Sequence, residues 1–129
     1  MILGVGIDVV HVRRMRRWQQ VPGLFERFFH PQELEEALAR GQAAVLSLAA
    51  RFAAKEALGK ALGTGLRDIA LKDIAVVNTA AGKPEVRLRG TALEALGRLG
   101  GGRILVSLSH ERDNAIAVVI IEEHNGSGT

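Results

Sequence analysis

Arg51-Phe-Ala-Ala-Lys-Glu-Ala-Leu-Gly-Lys-Ala-Leu-Gly-Thr-Gly65 is the stretch on which the fold turns. It completes a run over residues 43–62 that is rich in Ala and Leu and stops at Gly63-Thr-Gly65, the pattern of a long helix with a C-terminal stop. The Ala content lets such a helix pack close to a neighbour. Glu56 and Lys60 are four residues apart, so the helix sets both on one face. The plain reading of that pair is a helix-stabilising ion pair worth about 0.2–0.5 kcal/mol. Two observations favour a chemical role: the surrounding helix carries few other charges, so this face looks buried, and a further acid, Asp8, stands in apolar company.

Toward the N-terminus, Ile2-Leu-Gly-Val-Gly-Ile-Asp-Val-Val10 alternates small or apolar residues with β-branched ones and starts the chain in a strand over 2–8. Asp8 falls near the end of that strand, where an ionised carboxylate is costly unless a cation or donors compensate it. Capping of the next helix is the alternative for Asp8, but the acid precedes the helix start by several residues. From His11 to Gln20 the period turns helical, with Val12, Met15 and Trp18 inward and the arginines outward. Pro22 and Gly23 break it, Leu24 to Phe29 read as a short helical turn, and Pro31 suits the first position of a helix reaching Arg40. Glu33, Glu35 and Glu36 complement the positive end of its dipole.

Toward the C-terminus, Ile74-Ala-Val-Val77 and Glu85-Val-Arg-Leu-Arg89 flank a Gly- and Pro-containing turn and predict a hairpin. Residues 91–99 predict a helix ended by Gly100-Gly-Gly102, and strands over 103–110 and 114–122 are joined by Glu111-Arg-Asp113. The tail Asn125-Gly-Ser-Gly-Thr129 is expected to be loose. One strand, a run of helices, a hairpin, a helix and a second hairpin argue for a single α+β domain over 1–124 with a largely antiparallel sheet.

Composition bounds the function. A chain of 129 residues, 47% hydrophobic, builds one core rather than two. Aromatics are only 4% and tyrosine is absent, which weakens any nucleic-acid model built on base-stacking platforms. Net charge is +3, yet His11-Val-Arg-Arg-Met-Arg-Arg-Trp18 gathers Arg13, Arg14, Arg16 and Arg17, either a patch for an acidic partner or a solvated helix face. Without cysteine there is no disulfide framework and no thiolate chemistry, in agreement with a reducing compartment. No apolar stretch has the length of a membrane span, and the N-terminus lacks the basic region and cleavage site of a signal peptide, so a soluble cytoplasmic protein without membrane contact is expected.

Mg²⁺ favours oxygen ligands and takes one or two protein carboxylates, leaving other positions to water and substrate phosphate. Asp8 and Glu56 match that demand, whereas the patterns of a Zn²⁺ site or a Ca²⁺ loop are missing. Gly63-Thr-Gly65 gives backbone freedom near a substrate but is no Walker loop and lacks the Gly-x-Gly-x-x-Gly spacing. His110 ends a strand whose Ile104, Val106 and Leu108 are apolar, the ordinary setting of a core or edge histidine.

Gly4-Val-Gly-Ile-Asp8, Arg51-Phe-Ala-Ala-Lys-Glu-Ala57 with Lys60-Ala61, and Val106-Ser-Leu-Ser-His110 resemble, in order and spacing, the three signatures of the 4′-phosphopantetheinyl transferases of the short stand-alone type. The resemblance spans nearly the whole chain. It implies the family's fold, a largely antiparallel sheet packed with a long central helix. It also implies the family's activity: transfer of the 4′-phosphopantetheine arm of coenzyme A to a serine of apo acyl carrier protein, releasing adenosine 3′,5′-bisphosphate, in fatty acid biosynthesis. Asp8 and Glu56 would then hold the Mg²⁺ on the coenzyme's pyrophosphate, and Lys60 would steady the leaving phosphate and could supply a proton. Either Glu56 or a water on the metal would take the proton of the attacking serine.

The same resemblance puts Arg51, Lys55, Lys60, Gly63, Thr64, Gly65, Ser109 and His110 at the coenzyme, although Arg51 and Lys55 also suit ordinary surface pairs. Arg13, Arg14, Arg16 and Arg17 would meet the acidic carrier, with Arg14 matching the family's common basic position best. Longer members carry two such halves with the active site between them. A chain of half that length implies a homo-oligomer, by resemblance a homotrimer, with coenzyme bound across subunit boundaries and residues 115–121 offering contact surface. Two rivals stand beside this reading. A nucleic-acid-binding module would show steeply salt-dependent binding that ignores Glu56, and a non-catalytic scaffold would merely pair Glu56 with Lys60.

Overall fold

The computed structural model describes residues 1–124, and the tail expected to be loose lies outside the described residues. Strand β1 (Ile2–His11) leads into helices α1 (Val12–Gln19), α2 (Leu24–Phe28) and α3 (Pro31–Leu38). The long helix α4 (Ala44–Leu62) follows, then the hairpin β2 (Ile74–Asn78) and β3 (Pro84–Leu88), helix α5 (Gly90–Leu99), and the hairpin β4 (Gly101–Glu111) and β5 (Asn114–Glu123). Strands β1, β5 and β4 form one antiparallel sheet in that order, and β2 with β3 forms a second. The α+β, largely antiparallel expectation holds. Among the described residues no helix is long and apolar enough to cross a membrane.

Helix α4 lies along the three-stranded sheet and is buried over most of its circumference. Its contact with β1 depends on two glycines. A Cβ at Gly6 would stand 1.9 Å from the Ala57 carbonyl oxygen, and one at Gly4 would stand 1.9 Å from that of Ala61. The strand therefore rests directly on helix backbone, an approach that only glycine permits. Ala115, Ala117, Val119 and Ile121 of β5 are fully buried against the same helix. Burying each of the larger of these side chains is worth about 1.5–3 kcal/mol. The helix ends where Gly63 takes φ 81°, the left-handed stop that its sequence announces.

The opposite face of the sheet is apolar and uncovered. Val5, Ile7 and Val9 are each more than half exposed, beside Ile116, Val118 and Ile120 of β5. Surface expected of residues 115–121 is thus supplied by alternate residues only, and β1 contributes as much.

One local expectation changes and two gain detail. Strand β1 runs past Asp8 to His11, so the acid sits within the strand, paired across to Ala117. Glu33 serves the start of α3 as expected, accepting from the His30 backbone in a capping box, but it does so fully buried. Trp18 faces inward as expected and packs against the core, but it is only partly buried where Val12 and Met15 are fully so.

Candidate active site

The close approach of β1 to α4 decides where Asp8 goes. Alternation puts Asp8 on the same side as Gly4 and Gly6, toward the helix, two residues beyond the tightest contact. There the Lys60 ammonium donates to Asp8 Oδ1 at 3.1 Å and to the Ile7 carbonyl at 2.9 Å. The expected pair within the helix is replaced by one between helix and strand. Glu56, on the adjoining part of α4, makes no hydrogen bond or ion pair among the described residues. Burial, then the nearby Asp8 charge, pushes its carboxyl above the ordinary value, while Arg14 and Lys60 pull it down.

Asp8 and Glu56, separated by most of the N-terminal half of the chain, are therefore electrostatic neighbours. A carboxylate whose ionisation is made costlier by a second one nearby forms, with it, a place for a cation. No cluster of three or more potential metal-ligating side chains exists among the described residues. A two-carboxylate site of this kind fits Mg²⁺, which leaves its remaining positions to water and phosphate oxygens, and fits neither a four-ligand Zn²⁺ site nor a Ca²⁺ loop.

The other residues expected at the coenzyme divide between three places. Ser109 and His110, at the exposed end of β4, line a cavity of about 210 Å³ with Arg40, Ser47, Arg51 and Asn78. Gly63, Thr64 and Gly65 lie exposed at the far end of α4, where Gly63 and Thr64 border a shallow depression with Arg67 and Arg98. Lys60 is with Asp8. Register sets Asp8 level with Leu108, both opposite Ala117, so the carboxylate strand and the cavity strand are about 10 Å apart with β5 between them.

Lys55 departs from its expected place. Its ammonium is fully buried, 2.6 Å from Glu33, and donates to the Leu71 carbonyl at 2.9 Å and to that of Ile74. All three of its protons are committed inside the protein, so phosphate binding by Lys55 is corrected to a structural role. Glu33 is equally committed: it accepts from the backbone of Val76 at 2.8 Å and of His30 at 3.1 Å. Arg51 is 4% exposed and donates to the Val76 carbonyl, to Ser47 at 3.1 Å and to Glu36 at 3.4 Å. Neither is a surface pair. Burial lowers the pKa of both cations, with Glu33 opposing in each case and Glu36 also at Arg51.

The four α1 arginines are all exposed, and among the described residues Arg14 is the one of them whose charge is felt at Glu56. Its guanidinium lies over Trp18 and Phe52 at 5.1 and 4.9 Å. Neither aromatic was singled out from the sequence for the site. The available signal was Phe52, one helical turn before Glu56. Arg40, Ser47 and Asn78 had no sequence signal, since only folding brings them to the cavity.

Against known proteins, a family profile for the 4′-phosphopantetheinyl transferase superfamily matches residues 4–119. A holo-(acyl-carrier-protein) synthase of Treponema denticola is 57% identical over 122 residues, 95% of this chain and 99% of the relative. The crystal structure of the corresponding synthase from Neisseria meningitidis superposes with TM-score 0.86 at 36% identity, covering 95% of this chain and all of that one (100%). A Helicobacter pylori synthase solved in complex with coenzyme A gives TM-score 0.78 at 29% identity, covering 92% and 99%. Near-complete mutual coverage, the carboxylate pair and the matching fold agree: the chain belongs to the 4′-phosphopantetheinyl transferase superfamily and is an enzyme of that family.

Proposed function

We propose that this chain, acting as one domain over residues 1–124, transfers the 4′-phosphopantetheine arm of coenzyme A to a serine hydroxyl of apo acyl carrier protein, with Mg²⁺, releasing adenosine 3′,5′-bisphosphate. The observation that carries the reading is the meeting of Asp8 and Glu56 beside Lys60 on the strand–helix seam. Relatives named for carrier-protein synthesis and related structures with coenzyme A bound support the substrate pair. In this reading the product serves fatty acid biosynthesis in the cytoplasm, and a cysteine-free composition agrees with a reducing compartment.

Asp8 and Glu56 are the residues that would hold the ion against the coenzyme's pyrophosphate. When bound, Mg²⁺ neutralises the charge that builds on the transferring phosphoryl group and on the leaving phosphate. The chain's own task is then positioning. Lys60, anchored on Asp8 and the Ile7 carbonyl, presents a cation to the departing phosphate and a proton that it can give. The Glu56 carboxylate, with no partner among the described residues and a raised proton affinity, or a water on the ion would take the serine proton. Arg13, Arg14, Arg16 and Arg17 form the basic surface for the acidic carrier, with effects greatest on association rate and at low salt.

The cavity of Arg51, Ser109 and His110 is proposed as the subsite for the far end of the coenzyme, joined to the carboxylates of a neighbouring copy in a homotrimer. Two features support this arrangement: the two half-sites lie on different strands of the sheet, and the sheet's outer face is an uncovered apolar surface of Val5, Ile7, Val9, Ile116, Val118 and Ile120. Such a patch on a lone protein marks an interface.

Mass spectrometry tests the reaction. Apo carrier protein incubated with the enzyme, coenzyme A and Mg²⁺ should gain one phosphopantetheine arm, with no gain in chelator. Light scattering tests the trimer, and a monomer at full activity would overturn the shared site. Titration of nucleic acid in place of carrier should show no binding that competes with transfer.

A further inference from the structure

Arg14 and Trp18 are one turn apart on α1, and Phe52 faces them from α4. The Arg14 guanidinium carbon is 5.1 Å from the Trp18 ring centroid and 4.9 Å from that of Phe52. The two rings meet nearly at right angles, at 81°, with centroids 5.0 Å apart. Phe28 backs the indole at 5.0 Å. The guanidinium thus occupies the corner of two aromatic faces, a favourable seat for a planar cation. No aromatic ring or carboxylate holds Arg13, Arg16 or Arg17 among the described residues. Trp18 packs against the core but stays only partly buried, so one part of the indole remains at the surface beside Arg14.

We propose that Trp18 is a positioning residue: with Phe52 it forms a slot that fixes the Arg14 guanidinium at the rim of the Asp8–Glu56 site, so that an acidic side chain of the carrier meets a preformed partner. This rests on the carrier-transfer reading above. A preformed arginine spends less conformational entropy on binding and so slows dissociation. Its three free neighbours act on the encounter rate. One basic helix then divides its labour, and the division is set by the aromatic neighbours and not by charge.

Two arms test the slot. In the free protein, Trp18 is the only tryptophan, so its emission reports the stacking directly. Arg14→Ala should shift that emission and raise its quenching by acrylamide, and unchanged emission would overturn the slot. This arm decides even if wild-type enzyme modifies no carrier, an outcome that would instead sink the transfer reading. In steady-state transfer, Trp18→Leu should raise the carrier KM about three- to ten-fold, with kcat and the coenzyme KM unchanged.

Trp18→Phe, which keeps an aromatic face, should restore most of the carrier KM, and Arg14→Lys, which keeps the charge but loses the plane, should not. Adding Trp18→Leu to Arg14→Ala should cost nothing more, because the indole acts through the arginine. Full additivity, or equal damage from Trp18→Phe and Trp18→Leu, would show that the indole contacts the carrier by itself and would refute the proposal. Should Trp18→Leu lower Tm, the Arg14→Lys and emission results carry the decision.

Discussion

Helix α4 presents two pairs of charged residues, Arg51 with Lys55 and Glu56 with Lys60, each spaced by one turn, and its two flanks use them in opposite ways. Toward α3 and β2, Arg51 and Lys55 are buried and spend their protons on Glu33, Glu36, Ser47 and three backbone carbonyls. Toward β1 and α1, Glu56 has no partner among the described residues, and Lys60 keeps an exposed ammonium against Asp8. A buried charge must be compensated or the fold fails, so compensation leaves nothing of Lys55 for a ligand, while Arg51 keeps one edge on the cavity of Ser109 and His110. Incomplete compensation on the second flank is what a cation and a phosphate can complete.

The sharpest way to break this comparison is to remove the open carboxylates. Asp8→Ala and Glu56→Ala should each lower transfer about a thousand-fold while the fold survives. Retained mass gain on the carrier would refute their roles. Gly6→Ala attacks the seam between the flanks: its Cβ would meet the Ala57 carbonyl oxygen at 1.9 Å, so β1 must move off the helix and take Asp8 with it. We expect a stability loss of about 1–3 kcal/mol together with a fall in kcat of about a hundred-fold, both readable on one preparation.

Lys55→Met tests the satisfied flank. It leaves the Glu33 carboxylate buried without its counter-charge and should cost about 3–5 kcal/mol in urea denaturation, with kcat of the folded fraction near wild type. Loss of transfer at unchanged stability would reverse the assignment of the two flanks.

The smallest effect sharpens the comparison through pH. The Glu56 pKa is raised in the folded protein, so its contribution favours folding below the ordinary glutamate value and is lost as pH rises through the raised one. In metal-free protein at neutral pH the ionised Glu56 therefore weakens the fold. Glu56→Gln should raise Tm slightly there, with the gap closing below about pH 4, and Mg²⁺ should stabilise wild type but not the variant. A gap that persists in acid would mean that the glutamine gains from packing and not from charge.

Much of this was legible locally. The Ala- and Leu-rich run closing at Gly63 announced α4, alternation announced the hairpins, and Pro31 marked the start of α3, because each depends on neighbours within a turn or a strand. The spacing of Glu56 and Lys60 showed a shared face but not their partners: Lys60 turned out to bond across to Asp8, 52 positions away. Lys55 gave no sign of burial, since a lysine in a motif reads the same whether Glu33 waits opposite or solvent does. The period that places Trp18 inward with Val12 and Met15 is matched by its packing on the core, and only the approach of Phe52 shows the indole serving Arg14 as well.

The amino-acid order alone determined which segments coil and which extend, and that two acids and a lysine lie in segments able to face each other, because helix and strand periods are properties of the local backbone. Tertiary structure decided which charges are spent and which are free. That outcome depends on the distance at which β1 meets α4, set by two missing Cβ atoms at Gly4 and Gly6, and no periodicity along the chain encodes a distance between segments so far apart.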